Sequence, residues 1–177
     1  VNPTARFMQV YMERLESYAA QHWGLSSLRD QLISAGGGLM FNPRDMQRSN
    51  IALLLETLSA STHRTSDELL HMFNTFFASA AFESVRTCTK QVAAAPQVIE
   101  RLKDAGYAVV IATNPIYVAE AIRQRLKWAG LPDDFSAYSF VTHAENMHFA
   151  KPHPAYYAEI LGRVGVEPDE ALMLGDD

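Results

Sequence analysis

At 177 residues the chain is long enough for one domain with a core of its own, or for a core that carries a smaller lid. Nearly half of the residues are apolar and a fifth are charged, and the formal net charge is −5 with acids and bases interspersed. That balance lacks the clustered Lys and Arg a nucleic-acid partner demands, and no apolar run approaches the ~20 residues of a membrane span. The opening, VNPTARFMQV, lacks the charged-then-apolar layout of a signal peptide. Cys88 is the only cysteine, so no internal disulfide can form. The expected location is therefore the reducing cytoplasm, with Cys88 as a small buried residue.

The first half of the chain is expected to be helical. FMQVYMERLESYAAQHW spaces Phe7, Val10, Tyr11, Leu15 and Tyr18 along one helical face. The triple glycine of SAGGGLM follows a helical pattern rather than a strand and lacks a following Lys-Ser/Thr, so it reads as a turn or hinge rather than a phosphate loop. NPRDMQRSNIALLLETL opens with Asn42 as an N-cap and Pro43 at the first helical position. Its Arg44 and Arg48, four apart, would share a helix face that could meet an anionic leaving group. TSDELLHMFNTFF offers Thr65 and Glu68 as a capping box, followed by the apolar stripe Leu69, Phe73, Phe76 and Phe77.

Near residue 92 the texture changes to alternating helix and strand. PQVIERLKDAG is a short helix that starts at Pro96 and stops at Gly106. YAVVIAT follows as a β-branched run of the kind buried on both faces. A helix from about Ile116 to Ala129, closed by Gly130, leads to the strand AYSFVT. HPAYYAEILGRVG is a helix ended by Gly165, and ALML is a last strand. Strand–helix alternation of this kind implies a parallel sheet with right-handed crossovers. The expected organisation is an α-helical unit over residues 1–92 and an α/β, Rossmann-like core over residues 93–177.

In such sheets, sites gather beyond the carboxyl ends of the strands. At the end of YAVVIAT, Thr113 offers a hydroxyl and Asn114 a backbone N–H, while Pro115 has none to offer. Taken alone, Thr113 reads as an ordinary strand-closing residue. Beyond AYSFVT, Lys151 lies between Ala150 and Pro152; the proline biases it towards an extended backbone, and Pro154 fits the first turn of the next helix. His143, His148 and His153 match no zinc spacing and read as solvated loop residues. After ALML come Gly175, Asp176 and Asp177. Paired carboxylates at a strand end are costly unless a cation or a proton joins them. A hard divalent ion, Mg²⁺ above all, is one account of the pair; a solvated acidic turn is the other.

The order of these segments, VVIATN, then AKPHPAYY, then LMLGDD, resembles the second, third and fourth motifs of the haloacid dehalogenase-like hydrolase superfamily. The resemblance covers roughly residues 93–177, and the helical first half fits the family's α-helical cap in pattern. It implies a Mg²⁺-dependent phosphatase acting on a small phosphorylated metabolite through an aspartyl-phosphate. Thr113, Asn114 and Lys151 would bind the transferring phosphoryl group, with Thr113 and Lys151 catalytic, and Asp176 and Asp177 would hold the metal. The family's nucleophile motif, Asp-x-Asp followed by Thr or Val, occurs nowhere in the sequence. The chain is thus expected to be the interior of a longer polypeptide, with the nucleophile and the strand between those bearing Thr113 and the acidic pair lying outside it. Alternative expectations are an inactive scaffold that binds or regulates, a metal-independent dehalogenase, and a phosphonate hydrolase or phosphomutase.

Overall fold

The computed structural model describes residues 4–41 and 46–175. Four helices build the first half: α1 (Thr4–Trp23), α2 (Leu28–Phe41), α3 (Asn50–Thr62) and α4 (Ser66–Phe77). A short α5 (Ala80–Glu83) and a 3₁₀ turn (Ser84–Cys88) follow. The expected face of α1 is turned inward: Phe7, Tyr11 and Leu15 are buried, and Val10 and Tyr18 pack against them. The expected capping box at α4 is present. The Thr65 hydroxyl accepts from the Glu68 N–H at 3.2 Å, and the Glu68 carboxylate accepts from the Thr65 N–H at 2.8 Å. Leu69, Phe73, Phe76 and Phe77 are all buried behind it.

Two expectations for this half are corrected. The triple glycine is not a turn, since α2 runs straight through Gly36, Gly37 and Gly38. Leu28, Ala35 and Leu39 recur at helical spacing and are buried, so core packing overrides the weak helical preference of glycine. The helix expected to open at Asn42 and Pro43 begins instead at Asn50, with Ser49 as its N-cap; Asn42, Pro43 and Arg44 lie outside the described residues. Arg48 precedes that helix, so it stands on no helix face, and it bonds the Glu56 carboxylate at 2.7 Å.

The second half contains α6 (Ala95–Asp104), β1 (Val110–Ile111), α7 (Ala119–Trp128), β2 (Phe140–Val141) and α8 (Pro154–Val164). Gly106, Gly130 and Gly165 all follow helices with positive φ, as glycine stops should. The strands β1 and β2 pair in parallel, Val110 opposite Phe140 and Ile111 opposite Val141. Ile111 and Val141 face the α7 residues Ile122 and Leu126. Val110, Ala112 and Phe140 pack instead with Met147, Tyr156 and Ile160 beside α8. One helix on each face of a parallel pair makes this an α/β fold.

Both strands are shorter than their sequence runs, and Val110 and Ile111 are half-buried rather than enclosed on both faces. ALML is not a strand among the described residues. Leu172 and Leu174 are 83% and 73% exposed, as expected of an apolar run whose backbone finds no sheet partner. Helix α7 begins three residues later than expected, because Ile116 N–H closes a tight turn onto Asn114 O (2.9 Å).

The largest apolar cluster centres on Tyr11, Phe76, Phe77 and Phe82 and continues across residue 92 into Val118, Ala121, Trp128 and Ala144. Burial first, then the neighbouring Tyr117, pushes the Tyr11 phenol well above its ordinary pKa, so it stays neutral. Cys88 is buried and unbridged, as expected. No helix among the described residues is long and apolar enough to cross a membrane.

Candidate active site at the strand ends

The parallel pair ends on two threonines that hold each other. Thr113 N–H donates to Thr142 Oγ1 at 2.8 Å, and the Thr113 hydroxyl donates to Thr142 O at 2.9 Å. Thr142 is fully buried. The Thr113 hydroxyl proton is thus directed to Thr142 O, and it meets a ligand only after rotating away. The Asn114 Oδ1 atom is buried and accepts no hydrogen bond from the described residues.

Lys151 stands on the turn Ala150–His153, closed by His153 N–H donating to Ala150 O at 3.0 Å, with the Lys151–Pro152 peptide cis. Lys151 is therefore the second residue of a four-residue turn, directly before the helix. Pro154 occupies the first turn of α8, and His153 Nδ1 caps it by accepting from Ala155 N–H at 3.1 Å. The Lys151 ammonium lies 6.0 Å from the centroid of the Tyr156 ring, within cation–π range. The Tyr156 hydroxyl donates to Thr113 O at 2.7 Å. Thr113 and Lys151, on separate loops, thus meet on one fully buried tyrosine.

Two carboxylates brace these loops. Glu145 accepts the Ala119 N–H at the start of α7 with both oxygens, at 3.0 Å each, and receives His143 Nδ1 at 2.8 Å. Glu159, on α8, accepts from His148 N–H (2.9 Å), Phe149 N–H (3.3 Å), His148 Nδ1 (2.7 Å) and Arg163 (3.1 Å). In each case burial pushes the carboxyl up, but the hydrogen bonds, led by the histidine ring, outweigh it and hold the pKa below its ordinary value. His143 and His148 are therefore half-buried partners of glutamates, not solvated loop residues.

A groove of 270 Å³ runs beside Thr113, lined on its other sides by Lys90, Gln91, Ile122, Arg125 and Leu126. Among the described residues no group of three His, Cys, Asp or Glu side chains could hold a metal ion. Asp176 and Asp177 lie outside the described residues. Their chemistry, two adjacent hard oxygen donors, fits Mg²⁺.

Sequence reasoning passed over Thr142, Tyr156, Glu145 and Glu159. Thr142 carries the same signal as Thr113, a hydroxyl residue closing an apolar strand. The others carry none, because the loops they brace are reached only through the fold: Tyr156 meets Thr113 across 43 positions, Glu145 meets Ala119 across 26 and Glu159 meets His148 across 11.

Comparison with known proteins matches residues 13–177 to the family model "Hydrolase: haloacid dehalogenase-like hydrolase". The chain is 23% identical over 177 residues to Pyrophosphatase PpaX of Bacillus cereus strain AH820, spanning 100% of the chain and 69% of that protein. It is 27% identical over 124 residues to Pyrophosphatase PpaX of Bacillus velezensis, covering 70% of the chain and 53% of that relative. A Glyceraldehyde 3-phosphate phosphatase of Pyrococcus furiosus is 36% identical over 92 residues, 51% of the chain and 35% of that protein. The chain thus spans about half to two thirds of the pyrophosphatases and about a third of the archaeal phosphatase. No solved structure matches. The family model extends over nearly the whole chain, and the chain belongs to the haloacid dehalogenase-like hydrolases.

Proposed function

We propose that the protein is a Mg²⁺-dependent phosphatase that hydrolyses a small phosphorylated metabolite through an aspartyl-phosphate. The observation that carries this reading is the meeting of Thr113 and Lys151 on Tyr156 at the carboxyl end of a parallel strand pair. There Lys151, the Thr113 hydroxyl and the Asn114 backbone N–H would together meet an anion, the set needed to hold phosphoryl oxygens. Names borne by relatives, pyrophosphatase and glyceraldehyde 3-phosphate phosphatase, support a phosphoanhydride or phosphate-ester substrate.

The chemistry divides among the residues as follows. A carboxylate oxygen of an aspartate outside residues 1–177 bonds to phosphorus as the bond to the leaving oxygen breaks, splitting one difficult hydrolysis into two easier steps. Lys151 neutralises charge between two anions that otherwise repel. The Thr113 hydroxyl, once rotated from Thr142 O, donates to a phosphoryl oxygen alongside the Asn114 N–H. Asp176, with Asp177 assisting, would hold Mg²⁺, which when bound offsets phosphoryl charge as a Lewis acid. The braces at Glu145 and Glu159 keep the loops in place, so little ordering remains for the transition state.

The test is a panel assay of the full-length protein with inorganic pyrophosphate, sugar phosphates, other phosphate monoesters, a phosphonate and a 2-halo acid, with and without Mg²⁺. Phosphate release that requires Mg²⁺, with no halide release, supports the reading. Halide release without metal favours the dehalogenase alternative, and no turnover of any substrate favours the inactive scaffold.

A further inference from the structure

The side chain of Asn50 belongs to the helical half but is fully buried against the strand-end loops. Its amide donates to Pro115 O at 3.0 Å and to Phe149 O at 3.2 Å. Pro115 directly follows Thr113 and Asn114, and Phe149 lies two residues before Lys151. One side-chain amide therefore spans both loops proposed to hold phosphate. The backbone reinforces the tie. The first two N–H groups of α3, which no helix can satisfy internally, donate to the same region: Asn50 N–H to Met147 O and Ile51 N–H to Ala144 O, both at 2.8 Å.

We infer that Asn50 is a positioning residue, which fixes the Thr113–Asn114 turn relative to the Lys151 turn from the helical half of the molecule. The inference rests on the reading of Thr113, Asn114 and Lys151 as phosphate-binding groups. Its physical basis is the geometry of the fork. Only a side chain with two donors on one nitrogen joins two carbonyls this closely, and buried carbonyls that lose their donors shift to find others. Aspartate has the same shape but only acceptors when ionised, so it pushes both carbonyls away. Serine supplies one donor on a shorter arm.

Inorganic phosphate is titrated calorimetrically into the full-length protein in magnesium chloride, with affinity expressed per folded molecule from parallel thermal unfolding. Asn50→Ala and Asn50→Asp are expected to weaken phosphate binding by about tenfold, the equivalent of one lost buried hydrogen bond. Asn50→Ser, the mildest change and the variant that decides should the others not fold, is expected to fall between them and the unmodified protein. Leu58→Ala, a core truncation in the same helix away from both loops, controls for plain destabilisation and should shift affinity by less than about twofold. Unchanged phosphate affinity in the folded Asn50 variants, with a lowered melting temperature alone, overturns the inference and leaves the phosphatase reading standing. Absence of phosphate binding by the unmodified protein overturns that reading, and the inference with it.

Discussion

Glu159 ties the Lys151 loop to α8 by accepting two backbone N–H groups and a histidine ring at once. Burial opposes its charge, yet those bonds keep the carboxyl more acidic than its ordinary value of 4.5. A carboxyl more acidic in the folded chain than in the unfolded one adds stability that is complete above the ordinary value. The contribution fades as pH falls through the folded value. The melting temperature should therefore drop more steeply on acidification in the unmodified protein than in Glu159→Gln. The variant should melt lower at neutral pH, and the two curves should converge in acid. Parallel curves would show that the carboxylate's charge contributes nothing to the brace.

At the scale of elements, glycines make the point that position rather than residue type sets the effect. Gly36 and Gly37 sit inside α2 with open space where a Cβ would stand. Alanine there should stabilise the protein by about 0.5–1 kcal/mol at each position, read from urea unfolding. Gly130 has φ +72°, and a Cβ there would run into the Gln91 amide that donates to Ala129 O. Gly130→Ala should destabilise by about 1–2 kcal/mol. The helices α1, α4 and α8 were legible because the apolar face of α1, the capping box of α4 and the Pro154 and Gly165 bounds of α8 are local signals. The course of α2 was not, because Leu28, Ala35 and Leu39 hold it only through tertiary contacts. Strand lengths were equally hidden: a β-branched run shows what a strand prefers, and the ladder needs a partner that local sequence does not reveal. For the same reason Thr113 and Lys151 stood out as strand-end residues, while Tyr156 and Asn50, which act across 43 and 65 positions of sequence, did not.

Over the whole molecule, a continuous aromatic and aliphatic cluster joins the helical half to α7, and the α3 terminus is hydrogen-bonded into the strand-end loops. The helical half is thus packed against the candidate site. The family assignment sets the reaction class, and the geometry supplies a cation, a hydroxyl and a buried tyrosine between them. The proposed phosphatase depends above all on the positive charge of Lys151 in front of the strand ends. The most direct measurement is kcat/KM of the full-length protein and of Lys151→Ala on the best substrate of the panel, in Mg²⁺. A loss of about 100-fold or more, with the fold intact by circular dichroism, is the expected result. Equal turnover by the two proteins would contradict the account.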